Sequence, residues 1–232
     1  MSVLQKLKYK IHLRRDLKRR LKIIDNCKID TLLDIGANIG QYALKMRNLG
    51  YKKKIISFEP LNSAFEILKK SAERDKNWIV NNYGLGNEDS TGVINISGNS
   101  DSSSILEMLP TLSESAPGLK YIGKQEIVIK KLDTIFTSFV KSEDSVMLKI
   151  DTQGFEKNVI EGALQSLKQI RVIQLEMSIV PLYKNEMLFK EMITYIENQG
   201  FQLYSLENGH FNRNTGQLLQ VDGIFVQNTF AG

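Results

Sequence analysis

The chain has 232 residues, 42% of them hydrophobic and 25% charged, with 16 Gly, 4 Pro and one Cys. This length suits one α/β domain with additions and can bury a core without a staple. The composition excludes disorder and low complexity, and the single Cys27 excludes an internal disulfide framework and a multi-cysteine zinc site. The net charge is +5, which at first sight suggests nucleic acid. However, residues 1–25 hold nine Lys/Arg and two acids, a net +7, while the other 207 residues hold 22 and 24, a net −2. The body is therefore close to neutral, and no nucleic-acid partner is expected.

In the N-terminal segment Leu4, Leu7 and Ile11, then Leu13, Leu17, Leu21 and Ile24, recur at helical spacing with a phase slip near Arg14. The pattern predicts a basic amphipathic helix over residues 1–29, ahead of a domain over 30–232. Three readings fit it. The stripe packs on the domain and the charges, His12 among them, are solvated; or the helix lies on anionic lipid; or residues 1–25 are a docking arm for a partner protein or nucleic acid. No apolar run reaches the roughly 18 residues of a membrane span, and no signal-peptide core is visible. The expected location is the cytoplasm, or the inner membrane surface if the helix binds lipid.

From Asp30 on, strand and helix patterns alternate. Strands are predicted at Thr31–Ile35, Lys54–Phe58, Ile79–Asn82, Val146–Ile150, Val172–Met177, Phe201–Leu206 and Gly223–Gln227. Helices are predicted at Ile39–Leu49, Ser63–Arg74, Asp133–Val140, Phe155–Leu167 and Met187–Gln199. Continuous apolar strands separated by helices predict a parallel sheet covered on both faces. The polar link Glu207–Asp222 shows no helix pattern, so the last strand should return antiparallel. Residues 91–131 break the alternation: Val93–Ser97 and Glu126–Lys130 read as an inserted hairpin around a long Ser-rich loop, Ser100–Ser104.

The first strand runs into Asp34-Ile35-Gly36-Ala37-Asn38-Ile39-Gly40. Gly36 and Gly40 permit close backbone approach to a ligand, but Asn38 stands where a dinucleotide fingerprint needs its second glycine. Asp34 would also repel a pyrophosphate and suits a cation. Glu59, 25 residues on at the next strand end, is placed to accept from ribose hydroxyls. This combination fits S-adenosylmethionine (SAM). Asp34 would face the methionine amine, the Gly36–Gly40 backbone with Ala37 and Asn38 would pack on the methionine, and Glu59 would hold the ribose. A nucleotide-cofactor oxidoreductase and a non-catalytic scaffold are the competing readings.

The segments DIGANIG, SFEP, YGLGNEDSTGVI, SDSSS, LKIDTQGFEKNVIEGA, QLEMSIVPLY and LLQVDGIF follow one another in order. From Thr31 to Gln227 the chain resembles the FkbM-type SAM-dependent methyltransferases. The resemblance implies the class I methyltransferase fold, with strand order 3-2-1-4-5-7-6, the last strand antiparallel, and O-methylation of a hydroxyl on a carbohydrate, glycan or hydroxylated natural product. It also places the third strand end beside the adenine, so that Asn82 or the backbone at Gly84 would hold the base.

Ligands of open α/β sheets bind beyond the carboxyl ends of the strands. Asp151 sits at that mouth as candidate general base or hydroxyl ligand. Lys149 lies one pleat deeper and demands a partner, with Glu176 the first candidate and Asp151 the second. Asp151 and Glu176 could pair as catalytic carboxylates, or as a minority option hold Mg²⁺. His210 is a second candidate base. Ser102, Ser103 and Ser104 are candidate acceptor-binding residues that could instead close over SAM, and Lys149 is a further acceptor-side candidate.

Overall fold

A computed structural model describes residues 3–115, 119–212 and 214–230, with residues 3–14 described by backbone only. The elements in chain order are α1 (Val3–Asn26), β1 (Thr31–Ile35), α2 (Gln41–Asn48), β2 (Lys54–Phe58), α3 (Asn62–Ala72), β3 (Trp78–Asn81), β4 (Gly84–Leu85), β5 (Ser90–Ser97), α4 (Pro110–Ser115), β6 (Tyr121–Lys130), α5 (Leu132–Phe139), β7 (Val146–Ile150), α6 (Glu156–Glu161), β8 (Ile170–Ser178), α7 (Phe189–Asn198), β9 (Phe201–Asn208) and β10 (Gln220–Gln227).

Seven strands form one sheet in the order β3-β2-β1-β7-β8-β10-β9, and β4, β5 and β6 form a separate small sheet. Counting only the large sheet, this is 3-2-1-4-5-7-6. Strand β10 runs antiparallel to both neighbours and the remaining pairs are parallel. The predicted hairpin is the β5–β6 pair, and β4 joins β6 in parallel.

Alternation along the strands separates two cores. Leu33, Ile35, Ile56, Phe58, Leu148, Ile150, Ile173 and Leu175 face one side, where α5, α6 and α7 cover them. Leu32, Ile55, Met147, Val172, Ile224 and Val226 face the other, under Tyr42, Ala43 and Met46 of α2, Leu68 of α3, and Ile23 and Ile24 of α1. The second half of α1 is thus part of the core. The expectations on Leu4, Leu7, Ile11, His12, Leu13 and the phase slip near Arg14 fall outside the described side chains. No helix among the described residues is long and apolar enough to cross a membrane.

The predicted helix Phe155–Leu167 ends early. Beyond Glu161 the Gly162 carbonyl accepts from Asp133 N–H, and the Asp133 carboxylate takes the amides of Gln165 and Ser166. Asp133 lies far away in the chain, so the bonds that stop the helix are tertiary.

Candidate functional site

A cleft of about 640 Å³ opens over the carboxyl ends of β1, β2, β7 and β8. Its floor is the β1–α2 turn. Gly36 has φ +70°, and a Cβ there would lie 1.9 Å from the Asp151 carbonyl oxygen, so only glycine lets β1 and β7 close up here. The amides of Gly36 and Ala37 donate to the Phe58 carbonyl, and the Asn38 amide donates to Glu59 Oε2 at 2.8 Å. Gly36, Ala37 and Asn38 line the cleft. Gly40 does not: it lies against Leu68 and Trp78, letting the turn pack on the core.

Glu59 also lines the cleft. Its Oε1 accepts from Leu61 N–H at 2.8 Å. Burial pushes Glu59 up to about 7, with the Leu61 and Asn38 amides pulling it down. Each oxygen takes a single protein donor and keeps capacity for a hydroxyl. Around Glu59, Leu61, Leu85, Ile94, Ile105 and Phe155 form an apolar slot, with Gly84 at its edge. Asn82 stays outside; its Nδ2 donates to the carbonyls of Glu59 and Pro60 and braces the end of β2. The slot gathers residues from the loop after β2, from β4, from β5 and the loop after it, and from the loop after β7, so no local sequence signal marks it.

Asp34 departs from expectation. It is fully buried, outside the cleft lining, and paired with Lys149 Nζ at 3.1 Å. The register explains this: Ser57, Asp34, Lys149 and Gln174 are partners across β2, β1, β7 and β8 and make a polar row through the sheet. Trp78 Nε1 donates to Ser57 Oγ, Ser57 Oγ donates to Asp34 Oδ2, and the Gln174 amide meets the Tyr42 hydroxyl at 2.9 Å. Burial alone would lower Lys149; Asp34, then Asp151, reverse this and hold it well above its ordinary value. Lys149 also donates to the Gly36 carbonyl and lies 3.6 Å from Asp151 Oδ2. Its main partner is therefore Asp34 and not Glu176, and it fixes the floor of the cleft.

Asp151 and Glu176 are brought together through Gln153. One nitrogen, Gln153 Nε2, donates to Asp151 Oδ1 at 2.8 Å and to Glu176 Oε2 at 2.9 Å. An amide thus occupies the place a shared Mg²⁺ would need. No group of three or more His, Cys, Asp or Glu side chains suited to a metal gathers among the described residues. Gln220 Nε2 donates to Glu176 as well, at 2.7 Å. Burial, then the Asp151 and Asp222 charges, raise Glu176 well above the ordinary carboxylate value. Gln153 has φ +57°, and its Oε1 accepts from Tyr183 OH at 2.8 Å. Sequence reading passed over Gln153; the Gln-Gly pair in the turn between β7 and α6 is the available signal.

The Ser-rich loop divides. Ser102 and Ser103 line the cleft, and Ser103 Oγ accepts from Ser97 N–H. Ser104 does not line it: almost fully buried, it donates to the Gln153 carbonyl at 2.6 Å and ties the loop to the site. Asp101 holds the side chains of Asn38 and Gln41. His210 lines the cleft with Nε2 3.1 Å from Ser115 Oγ.

Helix α1 supplies Asp16, Leu17 and Arg20 to the wall. Arg20 pairs with Glu207 at 2.5 Å and with Asp222 at 3.5 Å. The signal for Arg20 was its position on the apolar stripe, between Leu17 and Ile24.

The sheet order, its antiparallel last strand and a cleft over the strand ends define a Rossmann-like fold of the methyltransferase type. Residues 34–203 match the Methyltransferase FkbM domain. The chain belongs to the FkbM methyltransferase family, whose methyl donor is SAM. No curated protein matches the sequence. Among solved structures, TehB from Haemophilus influenzae is similar with a TM-score of 0.50 and 10% identity, over 92% of this chain and 62% of TehB. The METTL16 methyltransferase domain follows at 0.49 and 12%, over 92% and 67%. Fibrillarin from Aeropyrum pernix, in complex with natively bound SAM, gives 0.46 and 9%, over 84% and 66%. These identities speak for fold alone.

The cleft fits the cofactor. Seven carboxylates and three Lys/Arg side chains line it among the described residues, a balance suited to a sulfonium cation and unsuited to a pyrophosphate. Glu59 would hold the ribose hydroxyls, the apolar slot the adenine, and the Gly36–Asn38 turn the methionine.

Proposed function

We propose that this methyltransferase acts on a hydroxyl of a carbohydrate, a glycan or a hydroxylated natural product. The observation that carries this reading is the make-up of the cleft beyond the cofactor turn: Asp151, Gln153, Glu176, His210, Gln220 and Asp222 converge there. These are acceptors and donors for a polyhydroxylated molecule, and the excess of carboxylates disfavours a phosphate backbone. The cofactor supplies an electrophilic methyl group on sulfur when bound. The protein's part is to hold the hydroxyl in line and to receive its proton.

Asp151 suits the proton. Its side chain is 42% exposed at the cleft mouth, one oxygen is steadied by Gln153, and the other faces Lys149. Glu176, held by two amide donors, accepts or donates to a second acceptor hydroxyl. His210, which also lines the cleft, is the alternative base.

The test is methyl transfer from labelled SAM to a panel of uncharged saccharides and glycosides, with sugar nucleotides as the phosphate-bearing comparison expected to react less. Asp151→Asn should lower turnover by roughly 10²–10⁴-fold while SAM affinity stays within about twofold. Transfer to amines or RNA in preference to sugars would refute the reading. A wild-type chain that binds SAM but methylates nothing would support a scaffold role.

A further inference from the structure

The burial of Asp34 leaves the cationic amino-acid end of SAM without the carboxylate that its sequence position suggested. Asp101 in the inserted loop lines the same cleft. Its Oδ1 accepts from the side-chain amides of both Asn38 and Gln41, so two residues of the cofactor turn and of α2 hold the carboxylate over Gly36–Asn38. Both bonds end on the same oxygen. Ser100 Oγ donates to Asn38 Oδ1 at 3.1 Å and fastens the loop a second time. Lys45 lies one helical turn after Gln41 on the same face of α2 and also lines the cleft. Burial, with Arg20 and Lys149 nearby, pushes Lys45 below its ordinary value, while Asp101 pulls it up.

We infer that Asp101 and Lys45 bind the zwitterionic end of the cofactor, Asp101 taking the α-ammonium and Lys45 the α-carboxylate. The inserted loop is then part of the cofactor site and not only a cover for the acceptor. The inference rests on SAM occupying the cleft as described above. It concerns cofactor residues alone and is independent of the acceptor's identity.

Calorimetry with three ligands tests it: SAM, decarboxylated SAM, which keeps the amine, and 5′-methylthioadenosine, which lacks the amino acid and the sulfonium charge; S-adenosylhomocysteine, which keeps the amine on a neutral sulfur, separates the two charges and should lose affinity to Asp101→Asn as SAM does. Asp101→Asn retains an oxygen for Asn38 and Gln41 but no charge. It should weaken SAM and decarboxylated SAM by roughly tenfold or more, the usual worth of a charge-assisted bond, and leave methylthioadenosine unchanged. Of the three, Lys45→Gln should weaken SAM only. Glu59→Gln should weaken all three and serves as the control for the ribose. Equal losses on all three ligands for Asp101→Asn, or no loss on any, overturn the assignment. A wild-type chain that binds none of them overturns both the assignment and the cofactor placement, and this outcome is distinct because it precedes any substitution.

Discussion

Arg20 of α1 and Glu207 of β9 meet in a two-nitrogen contact, Nε at 2.8 Å and Nη2 at 2.5 Å from the same carboxylate oxygen. The side chains are only 11% and 2% exposed. A helix that precedes the matched family region thereby reaches the wall of the cleft through one buried cation. Burial alone would lower Arg20; the Tyr42 hydroxyl, then Glu207 and Asp222, hold it above its usual value.

Removing one partner of such a pair strands a buried charge, which costs about 3 kcal/mol or more. Arg20→Ala should therefore lower the free energy of unfolding by about that amount, read by urea denaturation at pH 7. Arg20→Ala,Glu207→Ala should recover part of it. A loss under about 1 kcal/mol would place the pair with exposed bridges.

Glu156 sets a pH dependence of stability. Its Oε1 accepts from Thr152 N–H at 2.8 Å and from Thr152 Oγ1 at 3.1 Å, which ties the start of α6 to the loop after β7, and burial pushes it up to about 7 from an ordinary 4.5. Between these values the folded chain binds the proton and the unfolded chain does not, so stability falls as pH rises. The contribution is complete below pH 4.5 and lost by about 7. Glu156→Gln should melt with the wild type at pH 4 and above it at pH 8.

Glu59 should impose a pH dependence of the opposite sign on cofactor binding. Bonds from ribose hydroxyls favour the ionised carboxylate, whereas burial in the free protein raises it to about 7. SAM affinity should rise by up to about tenfold per pH unit below that value and level off above it. Glu59→Gln should flatten the profile. Calorimetry between pH 5.5 and 8.5 reads both.

The membrane or partner role of residues 1–25 is open to a direct measurement. On the lipid reading the full-length chain sediments with vesicles of anionic phospholipid at low salt, and deletion of residues 1–14 abolishes this while sparing Leu17, Arg20, Ile23 and Ile24, which are buried against the domain. If the full chain stays in the supernatant, the lipid reading is wrong and protein docking or simple packing takes its place.

Local pattern determined the strands and their order of appearance. Thr31–Ile35, Lys54–Phe58 and Val146–Ile150 were legible to the residue because strands buried on both faces read as short, mainly apolar runs, broken here only near their ends by Asp34, Ser57 and Lys149. Gly36 and Glu59 were legible as neighbours of the cleft because a tight turn and a strand-end acid are written in short local segments. Register was not. Asp34 reads as a ligand carboxylate in its own segment, but it becomes the partner of Lys149, 115 residues away, only when β1 and β7 align. Gln153, which joins Asp151 to Glu176, and Arg20, which joins α1 to β9 and β10, act likewise through contacts between distant segments. A side chain's role in this cleft depends on which charges lie within a few ångströms after folding, and that distance is a property of the tertiary structure.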